Sequence, residues 1–109
     1  MSWEERYLPE AARDFESLDR RRQILVRKAI DKVKENPLPQ SEGGYGKPLG
    51  RKRGTDLTNL LKIKLAGEGL RIVYKLVRTE TAMLIIVIGV REDEEVCQIA
   101  QRRAQKHEL

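Results

Sequence analysis

The chain has 109 residues, 39% of them hydrophobic, one cysteine and a formal net charge of +5. That length suits one domain spanning 1–109 with a modest core and no deep internal pocket, and a lone cysteine excludes an internal disulfide and a cysteine pair for zinc. The charge is uneven: residues 45–78 carry 9 basic against 2 acidic side chains, residues 1–44 balance at 9 and 9, and residues 79–109 hold 4 against 6, so the middle of the chain favours a polyanionic partner, most often nucleic acid.

Trp3, Glu5 and Tyr7 alternate with Glu4 and Arg6, as a short opening strand would. The acids in MSWEERYL are the wrong flank for a signal peptide, and the one continuous apolar run, Ala82 to Val90, is too short to cross a bilayer. A cytoplasmic protein with no membrane contact is expected. Pro9 sits where a helix's first turn tolerates it, and Ala11, Ala12, Phe15 and Leu18 follow at helical spacing. Asp19 is placed to cap a second helix whose apolar stripe is Val26, Ala29, Ile30 and Val33, and Pro37 ends that helix at Asn36.

From Pro37 to about Asp56 the sequence reads as loop, rich in glycine and proline. Its cations Lys47, Arg51, Lys52 and Arg53, with Lys75 further on, suit contact with RNA phosphates. A solvated insertion with no such role is the competing reading.

Alternation then becomes strict. Leu61, Ile63 and Leu65 point one way and Lys62 and Lys64 the other, AGEG at 66–69 makes a tight connection, and Leu70, Ile72, Tyr74 and Leu76 resume the apolar face. If Leu65 pairs with Leu70, Lys64 lies opposite Arg71 and Lys62 opposite Val73. Residues 79–81 turn the chain into a strand from Ala82 to Val90, apolar on both sides and so central in a sheet. Arg91 emerges at its end, and the acids at 92–95 suit the positive N-terminus of a closing helix rather than a metal site. His107 is expected to fray, and Trp3 and Phe15 read as core contacts. The fold class expected is α+β: a small antiparallel sheet packed against two N-terminal helices, with a short C-terminal helix.

Like charges directly across strands cost up to ~1 kcal/mol. Lys62, Lys64 and Arg71 on one hairpin face, with no carboxylate in the pattern, point to an anionic ligand. Crowded cations disfavour one another's charge, which suits a lysine to serve as general base. Arg71 and Arg91 are suited to clamp a phosphate that gains charge in its transition state. These parts fit attack of an RNA 2′-hydroxyl on its own 3′ phosphate, a reaction that needs no metal and no cofactor and for which DNA lacks the nucleophile. Passive phosphate binding by a surface Lys-x-Lys pair is the competing reading.

LKIKLAGEGLRIVYK followed by IGVREDEEVC, in the order strand, two helices, basic loop, hairpin, long strand and helix, resembles the RelE toxins of the RelE/ParE superfamily. The likeness runs from Trp3 to Arg103. It implies a toxin of a toxin–antitoxin pair, a metal-independent mRNA interferase that cleaves messenger RNA in the ribosomal A site and leaves a 2′,3′-cyclic phosphate. The implied partners are a cognate antitoxin protein and the ribosome with its mRNA and 16S rRNA, with no small-molecule cofactor. The resemblance carries the family's active-site lysines onto Lys62 and Lys64 and its arginines onto Arg71 and Arg91. The family's functional tyrosine falls on Cys97, a thiol with no ring to stack on a base. An acid–base part for Cys97, its replacement by Tyr45, and simple closure of the helix onto the sheet by a small apolar side chain are three open roles. Val90 stands where family members often carry a further cation. The alternative function is a non-catalytic RelE/ParE relative that binds ribosome or RNA or inhibits DNA gyrase, although ParE-type chains generally lack the Lys-x-Lys pair.

Overall fold

A computed structural model describes residues 2–52, 55–90 and 92–109. Strand β1 (Glu4–Tyr7) leads into helix α1 (Pro9–Glu16), with Pro9 in the first turn, where its missing N–H leaves no bond unmade. Asp19 has extended backbone and its carboxylate accepts the Arg22 N–H at 3.4 Å, opening helix α2 (Arg20–Val33) at the expected cap. The regular helix stops at Val33 rather than Asn36, because the chain leaves through a turn at Lys34.

Strands β3 (Thr55–Leu65) and β4 (Leu70–Val77) form the expected hairpin. Their connection is a single 3-10 turn closed by Gly69 at φ 67, a left-handed conformation that glycine adopts without strain. Strand β5 (Ala82–Val90) and helix α3 (Asp93–Lys106) complete the chain. The order across the sheet is β1-β5-β4-β3-β2, where β2 is Lys47–Lys52. The α+β class is as expected. The sheet is antiparallel apart from β1, which joins β5 in parallel from Glu4↔Ala82 to Tyr7↔Ile85.

The structure corrects the reading of 37–56 as loop. Lys47–Lys52 is an edge strand paired with β3, and β3 begins at Thr55. Glycine and proline hid it for an identifiable reason. Pro48 is tolerable because an edge strand has one side without a ladder. Gly50, at φ 65, absorbs a register shift between Pro48 and itself, so the period-2 pattern breaks mid-strand while Leu49 still reaches the core.

Register sorts the side chains. Leu61, Ile63 and Leu65 on β3 face Tyr74, Ile72 and Leu70 on β4, and Ile88 on β5 continues that row from Ile72. The Tyr74 hydroxyl donates to the Pro37 carbonyl at 2.7 Å, just past α2, so this is the face that α1 and α2 cover. Leu60, Lys62 and Lys64 face Lys75, Val73 and Arg71 on the opposite side, with Val87 and Gly89 beside them. Tyr74 and Val73 are adjacent, point to opposite faces and are both fully buried, so both faces are covered. Helix α3 supplies the second cover, lying against β3, β4 and β5 and burying Val96, Cys97 and Ala100.

β1 ends opposite Ile85, which leaves the rest of β5's outer edge without a neighbouring strand among the described residues. Two side chains take its place. Asp14 of α1 accepts from the Ile88 N–H at 3.1 Å, and Arg103 of α3 donates to the Ile86 carbonyl at 2.9 Å. The two also pair with each other at 2.6 and 3.2 Å, clasping α3 to α1 across the strand edge. His107, expected to fray, instead holds both carboxylate oxygens of Glu10 at 3.0 Å. That bond, with one from Lys106, holds the Glu10 carboxyl down at about 2. Of the expected core aromatics, Phe15 packs against the core and Trp3 is half-buried.

Candidate active site

The hairpin fixes the first three candidate groups. Lys64 lies directly across from Arg71, and Lys62 across from Val73, the register expected from pairing Leu65 with Leu70. On its other side Lys62 adjoins Lys47 of β2. Four cations from three adjacent strands thus share one side of the sheet. The two lysines differ sharply in setting: Lys64 is exposed, whereas Lys62 is only 6% exposed and is the buried charged side chain among the described residues. An ordinary solvated Lys-x-Lys pair would not bury one member. Arg71 donates to the Gly69 carbonyl at 2.9 Å, which steadies the guanidinium over the hairpin turn.

Arg71 also lines an open cleft of about 720 Å³. Its walls are the α1–α2 turn with Arg22, the Gly69 end of the hairpin, residues 88–90 of β5, and Glu92 and Glu95 at the start of α3. Arg22 and this cleft escaped sequence reasoning. A signal was present, since Arg20, Arg21 and Arg22 fill the first turn of α2, where the helix dipole disfavours cations.

The remaining candidates are dispersed. Arg51 and Lys52 lie on β2, near the outer edge of the sheet. Arg53 and Arg91 lie outside the described residues. Lys75 is on the same face as Arg71 but four residues along β4, roughly 13 Å away by strand rise. There it lines a separate hollow of about 480 Å³ with Asn59, Arg78 and Thr79. Cys97, at 8% exposure, packs with Val96 and Ala100 in the core under α3. Tyr45 is exposed, with its ring 5.2 Å from the Lys32 ammonium and its N–H bonded to the Asn36 carbonyl, at the C-terminal end of α2. That is the side of the sheet covered by α1 and α2, so Tyr45 does not stand in for an aromatic ring beside Lys62 and Arg71.

No protein-family model matches the chain. A curated RelE-like toxin protein of Escherichia coli is 25% identical over 103 residues, 94% of this chain and 98% of that one. Among solved structures, a free-state arginine double mutant of the E. coli toxin RelE superposes with a TM-score of 0.71 at 23% identity, covering 94% of this chain and 98% of that chain. A chain of the RelBE2 toxin–antitoxin complex from Mycobacterium tuberculosis gives 0.67 at 23% identity, covering 85% of this chain and 95% of that chain. The chain therefore has the fold of the RelE toxins and resembles them along nearly all of its length.

Proposed function

We propose that this chain is the toxin of a toxin–antitoxin pair and a ribosome-dependent endoribonuclease that cleaves mRNA in the A site. The observation that carries the reading is the register of β3 on β4, which sets exposed Lys64 opposite Arg71 with buried Lys62 behind them. Arg71 holds the scissile phosphate. Lys64 is the amine placed to reach the neighbouring 2′-hydroxyl and take its proton. The oxygen then attacks the 3′ phosphorus, the bond to the 5′ oxygen of the next nucleotide breaks, and a 2′,3′-cyclic phosphate remains. Lys62 contributes fixed positive charge to the pentacoordinate phosphate, and Arg91 is assigned to the leaving oxygen. None of these roles calls on a metal or cofactor. Lys47, Arg51, Lys52, Arg53 and Lys75 extend contact to RNA phosphates in the message and the 16S rRNA.

Cys97 is assigned to packing, because its thiol lies among core side chains beneath α3. The partner inferred is a cognate antitoxin whose acidic segments cover the cationic face; the similar RelBE2 structure is itself a toxin–antitoxin complex. Activity on ribosomes places the chain in the cytoplasm, and no described helix is long and apolar enough to cross a membrane.

The test is cleavage mapping by primer extension, with ribosomes programmed by a short message and with the same RNA alone. A cut in the A-site codon only with ribosomes is the expected result. Tight ribosome binding with no cut would instead establish a relative that grips without cutting, the outcome that the thiol in place of the family tyrosine favours.

A further inference from the structure

Tyr45 takes no part in the proposed reaction, yet the chain holds its backbone firmly and leaves its ring 49% exposed. The Tyr45 N–H donates to the Asn36 carbonyl at 3.0 Å, the Gly44 N–H to Pro39 at 3.1 Å and the Gly46 N–H to Leu38 at 3.0 Å. The Gly46 carbonyl accepts in turn from the Gln40 N–H at 2.8 Å. The glycines on either side of Tyr45 leave no room for another residue. A Cβ on Gly44 would stand 2.0 Å from the Leu38 carbonyl oxygen, and one on Gly46 would stand 2.2 Å from the buried Tyr74 hydroxyl. Residue 45 is thus fixed from both sides while its side chain points into solvent.

The charges around the ring select what it meets. The Lys32 ammonium lies over the ring at 5.2 Å, with Lys28 one turn earlier on α2. Lys47, two residues beyond Tyr45, adjoins Lys62 in the ladder and so links this loop to the cationic face. None of these three lysines has an ion pair among the described residues. Of the two carboxylates in residues 35–46, Glu42 is taken by Arg78 at 2.8 Å, which leaves Glu35 alone against the three lysines. An aromatic ring among unpaired lysines matches a nucleotide, which brings a π face and a phosphate together.

We propose that Tyr45 is a stacking platform for an unpaired base of single-stranded RNA, reached from the Lys62–Lys64–Arg71 cluster around the β2 edge by way of Lys47. The choice of RNA rests on the ribonuclease reading. The platform itself lies on the other side of the sheet from the reacting groups and binds without cutting.

The experiment is fluorescence anisotropy with an uncleavable single-stranded 2′-O-methyl RNA and with an abasic strand of equal length and charge. Wild type, Tyr45→Leu and Tyr45→Phe are compared over a series of salt concentrations, and thermal melts verify that each keeps the fold. Tyr45→Leu is expected to bind the RNA about 10-fold more weakly, with Tyr45→Phe close to wild type. The slope of log affinity against log salt should not change, because a stack is lost and no phosphate contact. All three proteins should bind the abasic strand equally. Binding to ribosomes with and without message then identifies the source of the base. A Tyr45→Leu deficit only with message places it in the message, and an equal deficit in both places it in ribosomal RNA. Equal RNA affinity for Tyr45→Leu and wild type would overturn the platform and leave the ring to a protein contact. A deficit that extends to the abasic strand, or no RNA binding by the wild type, would overturn it as well. A-site cleavage by the same variants decides the ribonuclease reading separately.

Discussion

The two faces of the β3–β4–β5 sheet are made by alternate residues of the same strands, yet they carry different chemistry. On the Tyr74 face, Leu61, Leu70, Ile72 and Ile88 form an apolar surface with one polar atom, the tyrosine hydroxyl, and that atom is satisfied by the Pro37 carbonyl. On the other face, Leu60, Val73 and Val87 lie buried, while Lys62, Lys64 and Arg71 crowd the end nearest the hairpin turn. Period-2 alternation lets one stretch of chain build a core with every second residue and a cationic site with the others. Stability and chemistry should therefore separate by residue parity along β3 and β4.

The sharpest way to break that comparison is at the lysines. Lys64→Ala should lower ribosome-dependent cleavage by roughly 10³-fold, the scale of a lost general base, with the melting temperature unchanged. Lys62→Met, which keeps volume and removes a buried charge, should cost about 10²-fold in cleavage. A large fall in stability of Lys64→Ala would show that this exposed lysine belongs to the core after all.

The clasp on the edge of β5 comes next. Asp14→Ala leaves the Arg103 guanidinium and the Ile88 N–H without their acceptor, so urea denaturation should show a loss of about 3 kcal/mol. Retention of wild-type stability would mean that α3 is held by its apolar contacts alone.

A pH titration sharpens the contrast from the side of the helices. Burial raises the Glu5 carboxyl, but hydrogen bonds from Arg27, Tyr7 and Lys34 outweigh it and bring it down to about 2. Its folded value lies below its unfolded one, so its stabilisation is complete above about pH 4.5 and is lost as pH falls toward 2. On the order of 2 kcal/mol should disappear across that window, and Glu5→Gln should flatten the curve there. An identical acid limb in the variant would assign the loss to other carboxylates, Glu10 first among them. The smallest effect expected is that of Tyr74→Phe: about 1 kcal/mol from the unsatisfied Pro37 carbonyl, with cleavage unchanged.

Much of this was legible in the sequence because the signals were local. The cap at Asp19, the proline in the first turn of α1 and the Leu65–Leu70 register each depend on a few neighbouring residues, and each stands where expected. Strand β2 was hidden because its bulge at Gly50 interrupts the alternation that would have announced it. The parallel pairing of β1, the Asp14–Arg103 clasp and the His107–Glu10 bond join residues far apart in sequence, which no window of the chain displays. The burial of Lys62 belongs with them. Nothing in KIKL distinguishes its first lysine from its second; the difference comes from the strand on the far side, where Lys47 pairs with it, and from the cover over that face.

The parallel pairing of β1 with β5 sets an order of assembly. The β3–β4 hairpin closes over a short turn and can form as soon as both strands exist, so the cationic cluster is an early, local product of folding. Sheet closure is the reverse: the first strand must wait for Ala82 to Ile85, and Arg103, which completes the β5 edge, is later still. During synthesis the cationic groups of the hairpin are therefore gathered before the framework that makes them rigid. A newly made chain passes through an interval in which its positive charge is already clustered but the geometry of that cluster is not yet fixed.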